Sequence, residues 1–421
     1  MASNDLQRML DTLWRMESPR LVARVARMTG DVGTAEELVQ DVFLQALQRW
    51  RVEGMPSNPP AWLMTAVRHR GIDHLRQRAL HGERTREYAV ELDLQHASPE
   101  VAPDMHADDD IGDDLLRLMF VACHPVLPLE SRVALTLRLL GGLTVPEIAR
   151  AFLAREATIS QRIVRAKQSL RDARVPFEIP RRDELAARLD GVLQVLYLVF
   201  NEGYAATSGE DLLRPALCED AMRLGRVLAA LMPREPEVHG LVALMELQAS
   251  RLRARTDANG DAVLLADQDR TRWDRTLILH GLGTLDHATA LGGRDGVYTL
   301  QAAIAACHAR AATVDATDWP RIAQLYARLS DLTGSPVVEL NRAMAESMAL
   351  GPAAAIARVD RLVEDGALDG YAMLPAVRGD LLDRLGRTRE ARAEFKRAAA
   401  LTGNARERRV LLDRAARCTP P

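Results

Sequence analysis

In the stretch "GGLTVPEIARAFLAREATISQRIVRAKQSLR", residues 141–171, Ser160, Gln161, Arg162, Arg165 and Lys167 fall on the exposed side of one helical pattern. Hydroxyl and amide groups can exchange hydrogen bonds with base edges, and guanidinium and ammonium groups with phosphate oxygens. The chemistry on offer is therefore non-covalent reading of a nucleic acid. Ile159, Ile163 and Ala166 make the opposite, apolar stripe of the same helix. Just upstream, Thr144 and Glu147 form a capping box for a shorter helix, Pro146 is tolerated in its first turn, and Ile148, Ala149 and Phe152 face the core. Two short helices with a break at about Leu153 to Arg155, the second one cationic, make the arrangement of a helix-turn-helix with its recognition helix. A structural hairpin with a solvated Arg/Lys face shares this pattern on the stretch alone.

A second basic helix weakens that plainer reading. In "PPAWLMTAVRHRGIDHLRQR", Pro59 and Pro60 suit a first helical turn, Trp62 and Leu63 follow, and the basic residues gather near the end. From Trp50 to Arg78 five arginines face only Glu53 and Asp73, and from Glu130 to Arg174 nine basic residues face four acidic ones. Residues 82–114, between them, hold eleven Asp and Glu against Arg84 and Arg86. The formal net charge of -3 averages these opposite signs away, so it does not exclude nucleic acid. Two basic modules on an acidic tether suit two separated sites on one DNA.

The elements that must position these residues are helical. Aromatics are only 4% of the 421 residues, Ala, Leu, Arg and Glu dominate, and Val/Ile/Thr clusters bounded by turns are scarce, which predicts an all-α chain. In "GTAEELVQDVFLQALQRW", residues 33–50, Thr34 is the expected cap with Glu37 reaching back to it. Ala35, Leu38, Val39, Val42, Phe43, Ala46, Leu47 and Trp50 form the apolar stripe, and Glu36, Glu37, Gln40, Asp41 and Gln45 form the polar face. The break "RVEGMPSN" follows. Residues 81–114 lack periodicity and read as a disordered or extended acidic linker. Helical pattern resumes at "LLRLMFVACHPVLPLESRVALTLRLLGG", broken at Pro125 and Pro128 and stopped by Gly141 and Gly142. After "RVPFEIPRR" the chain reads as helical hairpins of 30 to 40 residues. Ala343 precedes Ala355 by twelve, Gly379 precedes Ala391 by twelve with Phe395 and Ala398 after it, and the two pairs are offset by 36, close to a tetratricopeptide period. The expected domains are 1–80, the linker 81–114, 115–178, and a helical-repeat domain over 179–421.

Other chemistries find weaker support. Cys123, Cys218, Cys307 and Cys418 lie far apart with no CxxC pair and read as buried free thiols. The N-terminus lacks a signal-peptide core and no run of about 18 apolar residues occurs, so a soluble, cytoplasmic protein with no membrane partner is expected. Asp267, Asp269 and Asp274 in "DQDRTRWD" match no ligand spacing, and His239, His280, His287 and His308 show no metal pairing. "GLGTL" and "GGRDG" are isolated glycine clusters, far short of a phosphate loop. Salt-bridged or capping carboxylates are the expected role of those acids, and neither an enzyme nor a cofactor or metal is expected.

Residues 20–78, with "AEELVQDVF" and "NPPAWLMTAVRHRGIDHLR", and residues 115–175, with "LTLRLLGGLTVPEIARAFLAREATISQRIVRAKQSL", resemble regions 2 and 4 of extracytoplasmic-function sigma factors of the sigma-70 family. The tail resembles the group of these factors with a C-terminal tetratricopeptide-like domain, in "FNEGYAAT", "DQDRTRWDR", "LQAAIAACHA" and "SPVVELNRA". The resemblance implies binding to core RNA polymerase, promoter recognition and help in opening the DNA. Glu37, Gln40 and Asp41 would meet the β′ clamp helices, and region 4 would meet the β flap. Trp62, Arg68, His69, Arg70 and Arg76 would bind the minus-10 element, with arginines on phosphates and the loop "RVEGMPSN" suited to a flipped base. Arg138, Ser160, Gln161, Val164, Arg165 and Lys167 would face the minus-35 element. Two positions depart from the family's pattern. Many relatives carry Asn where His69 stands, and many carry Ser or Pro at Arg155, whose side chain cannot cap the recognition helix, so the start of that helix can shift. The tail would be a fused regulatory domain offering a concave surface to a regulatory protein or peptide. A helix-turn-helix regulator that never touches polymerase would not need residues 33–78, and a helical-repeat interaction protein would bind no specific DNA.

Overall fold

The computed structural model describes residues 3–80, 107–152, 154–205, 213–257 and 261–418. Among these residues the regular structure is helical, with no strand, as the composition implies. The chain divides into two compact units, Met1–Leu196 and Tyr197–Pro421. Residues 81–106 of the expected acidic linker lie outside the described residues, and from Ala107 that stretch is already helix.

In the first unit, α1 (Ser3–Thr29), α2 (Val32–Glu53) and α3 (Pro59–Leu80) pack on one another. The cap of α2 is Asp31, not Thr34: the Asp31 carboxylate accepts the Thr34 amide at 2.6 Å and the helix begins at Val32. Gly30, at φ +69, ends α1 and turns the chain so sharply that the next residue already caps α2. The helix also outruns its sequence pattern to Glu53, so the polar break shrinks to residues 54–58. Asn58 caps α3 by accepting the Ala61 amide at 3.2 Å. Leu63 is fully buried, whereas Trp62 is half-buried, edge-on to Trp50 at 5.3 Å.

Helices α4 (Ala107–Ala122), α5 (Leu129–Leu139), α6 (Val145–Ala151) and α7 (Glu156–Asp172) follow in the same unit. The capping box of α6 is present, with the Thr144 amide on Glu147 at 2.8 Å and the Glu147 amide on Thr144 at 3.4 Å. Arg155 stands at the N-cap of α7 without a side-chain hydrogen bond, and the helix starts directly after it. Ile159, Ile163, Ala166 and Leu170 are its buried stripe. Helix α8 (Arg182–Tyr204) crosses the division between the units, past the expected boundary at residue 178. Prolines at 176 and 180 mark a break that the sequence shows, but the first half of α8 belongs with α4, through Arg188 on the Phe120 carbonyl at 3.0 Å.

In the second unit, α9 (Pro215–Leu231), α10 (Pro236–Ala249), α11 (Arg275–Ala290), α12 (Val297–Arg310), α13 (Trp319–Thr333), α14 (Pro336–Leu350), α15 (Pro352–Glu364), α16 (Met373–Arg384), α17 (Thr388–Leu401) and α18 (Ala405–Arg417) pack mainly on their neighbours in chain order. The 36-residue repeat has a packing origin. Ala343 and Ala355 share the core of the α14–α15 hairpin, and in the next hairpin the Phe395 ring lies 2.9 Å from where a Cβ on Gly379 would stand. The four cysteines are free. Burial pushes the Cys123 thiol up to about 11 and the Cys218 thiol up to about 12, so both are inert at neutral pH.

The "GGRDG" cluster is a close approach of chains. Glu237 of α10 accepts from the Tyr298 amide at 2.8 Å, the Thr299 amide at 3.0 Å and the Thr299 hydroxyl at 2.7 Å, capping α12 from a different helix. A Cβ on Gly296 would lie 2.0 Å from that carboxylate. Glu237→Ala should cost about 1–3 kcal/mol by stranding these donors, whereas Glu237→Gln, which keeps an acceptor oxygen, should cost less. Urea unfolding of the full chain, followed by circular dichroism, measures both, and equal losses would refute the capping role.

Candidate nucleic-acid and polymerase interfaces

The outer side of α7 carries Ser160, Gln161, Val164 and Arg165, all exposed, because the opposite stripe packs against α5 and α6. Val164 is 63% exposed, an apolar group held in water among hydrogen-bonding ones. Arg138 and Lys167, expected beside them, point elsewhere. Both reach Glu36 of α2: Arg138 Nε lies 2.6 Å from one carboxylate oxygen and Lys167 Nζ binds the other. The Gln40 amide donates to the same carboxylate at 2.8 Å. Arg138 also donates to the Leu143 carbonyl at 3.0 Å and sits over the Trp14 ring.

Glu36 therefore departs from its place on the polar face of α2: it is 2% exposed. Burial pushes its carboxyl up, but the charges and hydrogen bonds of Lys167 and Arg138 outweigh that and hold it below the usual range. The signal was legible, since position 36 falls in helical register with Val32, Val39 and Phe43, and a charge inside an apolar stripe needs a buried partner.

Four further contacts join the two lobes of the first unit, α1–α3 and α4–α7, and sequence reasoning missed all of them. Arg171 makes a two-pronged pair with Asp31 at 2.9 Å for each prong. Burial opposes ionisation of Asp31, yet hydrogen bonds from Arg171 and Thr34 hold its carboxyl at about 2. Arg15 pairs with Glu147, and the Trp14 indole donates to the Gly142 carbonyl at 3.1 Å. Gly142 is required there: its φ is +70, and a Cβ would stand 3.1 Å from the Arg15 backbone. On α4, the buried Asp114 takes Arg117 at 2.7 Å and meets Arg24 and Arg27 of α1 at 3.5 Å.

On the remaining face of α2, Glu37 and Asp41 are exposed and Gln40 is half-buried on Glu36. Asp41 pairs with Arg70 of α3 at 3.1 Å. Arg68, His69, Arg70 and Arg76 are exposed along α3, with Trp62 at the start of that helix.

Most of the acidic and histidine groups singled out in the tail are engaged within the second unit. Asp269 accepts the Thr271 amide at 2.9 Å, and Asp274 caps α11 through the Thr276 and Leu277 amides at 2.9 and 3.1 Å. Arg270 between them donates to the His308 and Ala311 carbonyls at 2.6 and 2.7 Å and lies over Trp273. Asp267 is exposed. His239 and His287 meet edge-on, His280 pairs with the buried Glu246 at 2.5 Å, and burial takes His308 down to about 3. Among the described residues no three His, Cys, Asp or Glu side chains are grouped to hold a metal, and no helix is long and apolar enough to cross a membrane.

Family models place the same features. "Sigma-70 region 2" matches residues 13–80, "Sigma-70, region 4" matches residues 117–170, and a family of unknown function (DUF6596) matches residues 188–289. An uncharacterized protein of Rhizobium meliloti (strain 1021) is 45% identical over 389 residues, 92% of this chain and 91% of its own length. The ECF RNA polymerase sigma factor SigK of Mycobacterium sp. (strain KMS) is 31% identical over 148 residues, 34% of this chain and 72% of its own. The probable ECF RNA polymerase sigma factor SigI of Mycobacterium tuberculosis (strain ATCC 25618 / H37Rv) is 27% identical over 199 residues, 46% of this chain and 67% of its own. No solved structure matches the chain. With both sigma regions matched in order on the two lobes that carry the exposed α3 and α7 faces, the chain belongs to the extracytoplasmic-function sigma factors of the sigma-70 family.

Proposed function

We propose that α7 reads the minus-35 element, α3 the minus-10 element, and the exposed face of α2 the clamp helices of the β′ subunit. The observation that carries this reading is the outer face of α7. Ser160 and Gln161 offer hydrogen-bonding groups to base edges, Val164 offers methyls suited to a thymine methyl, and Arg165 offers a guanidinium suited to guanine or phosphate. On α3, Arg68, His69, Arg70 and Arg76 present a basic surface to the displaced strand, with Trp62 half-exposed for stacking. Glu37 and Asp41 supply the acidic contacts to polymerase, and region 4 meets the β flap.

The second unit is a regulatory domain fused to the factor, supported by its make-up of stacked hairpins, whose surfaces suit a protein or peptide. The primary test is transcription in vitro from a genomic promoter library with core polymerase, followed by sequencing of the transcripts. Defined start sites with two shared, spaced upstream motifs are expected, and their absence overturns the reading. Arg165→Ala should weaken promoter binding by about 1–3 kcal/mol if the side chain reads a base, or lower the salt slope by about one if it holds a phosphate. Unchanged binding by a folded variant removes Arg165 from the interface. A chain ending at Leu196, where the first unit ends, should differ from the full chain in transcript yield. Equal yields would leave the tail without a regulatory role.

A further inference from the structure

Three arginines of the second unit gather on two aromatic rings. Arg251 and Arg255 flank the short turn that follows α10, and Arg270 opens the turn before α11. Their guanidinium carbons alternate with the rings: Arg255 lies 3.8 Å from the Tyr204 centroid, Arg251 lies 5.9 Å from Tyr204 and 5.8 Å from Trp273, and Arg270 lies 4.8 Å from Trp273. We propose that this ladder is a binding site for a small phosphate-bearing molecule, held chiefly by Arg251 and Arg255.

Charge is the first support. Among the described residues none of the three arginines pairs with a carboxylate. Asp261, Asp269 and Asp274 of the same stretch are engaged elsewhere, by Arg406 and Arg409, by Thr271, and by the start of α11. Burial and then the charge of Arg251 push Arg270 below its ordinary value, and burial, with the charges of Arg251 and Arg270 behind it, keeps His308 neutral. An anion on the ladder turns this repulsion into attraction.

Unmet hydrogen bonds are the second support. Arg255 Nε, Arg270 Nε, Trp273 Nε1 and His308 Nδ1 are buried without a partner, and Trp273 is only 4% exposed. Arg270 directs its other nitrogens to the His308 and Ala311 carbonyls and to the Thr317 hydroxyl at 2.6, 2.7 and 3.3 Å, which fixes it in place. Arg251 and Arg255 donate no side-chain hydrogen bond to a described residue. A structural staple accounts for Arg270 but leaves the other two guanidiniums with donors and no acceptor.

Chemistry and size select the ligand. Rings cover guanidinium faces, so the N–H edges are the groups left to bind, and a phosphate meets them with more charge and more oxygens than a carboxylate. A cleft of about 750 Å³ opens at Trp273, within the range of roughly 300–1,000 Å³ that suits a small molecule. Tyr204 and Trp273 are nearly buried, which puts the ladder below the surface on which a macromolecule would lie. Arg253 and Arg272, both exposed, line the cleft, and their charge draws an anion toward it.

The experiment is isothermal titration calorimetry of the full-length chain with inorganic pyrophosphate, at an ionic strength held constant with sodium chloride. Saturable binding is expected. Arg251→Met and Arg255→Met, which keep a long stem against the rings, should each weaken it by about tenfold or more. Arg389→Met, which removes an exposed cation of α17, should leave it unchanged. Circular dichroism checks that each variant folds, and Arg255→Met carries the test if Arg251→Met does not. No saturable binding by the parent, or equal affinity in the parent and the folded ladder variants, overturns the site. Malonate, a dicarboxylate, binding as tightly as pyrophosphate overturns the phosphate assignment. The readout needs neither polymerase nor promoter, so it stands or falls apart from the promoter reading.

Discussion

The buried Glu36 carboxylate is the constraint around which the first unit is arranged. A charge at 2% exposure must be met from several directions, and Arg138 of α5, Lys167 of α7 and Gln40 of α2 meet it. Satisfying it fixes how the helix-turn-helix lobe lies on the three-helix lobe. Once the lobes are so placed, Arg171 falls on Asp31, Trp14 reaches the Gly142 carbonyl, and Gly142 needs the open conformation that glycine allows.

The same arrangement sorts the cations of region 4 into two sets. Arg165 stands in solvent on the outer side of α7, while Lys167, two residues on, is turned through the helix toward α2. A helix turns each residue by about 100°, so two positions apart is enough to separate a residue facing water from one facing a neighbouring lobe. Charge counting over the stretch cannot see that division.

In the second unit, polar motifs that resemble sites are devices for joining helices whose ends would otherwise be unsatisfied. Glu237 caps α12 from α10, Asp274 caps α11, and Arg270 ties the end of α12 to the turn before α11. The glycines beside them are spacings for those carboxylates, as the 2.0 Å approach at Gly296 shows. The period of 36 has the same kind of cause: small residues at Ala343 and Gly379 let paired helices close, and Phe395 fills the remaining gap.

The all-α class, the helix-turn-helix with its capping box and buried stripe, the basic α3 and the terminal hairpins were all legible in the sequence. Each depends on contacts within about four residues, or on a repeat, and such patterns are local. What only the tertiary structure decided depends on distant partners. Asp31 displaced Thr34 as the cap of α2 because Gly30 turns the chain just before it. The unit boundary moved into α8 because Arg188 finds Phe120, 68 residues away. Arg138 and Lys167 left the expected DNA face because Glu36, more than 100 residues earlier in the chain, supplies a buried opposite charge. Periodicity reports which side of a helix is apolar; it does not report which other helix arrives with the matching charge.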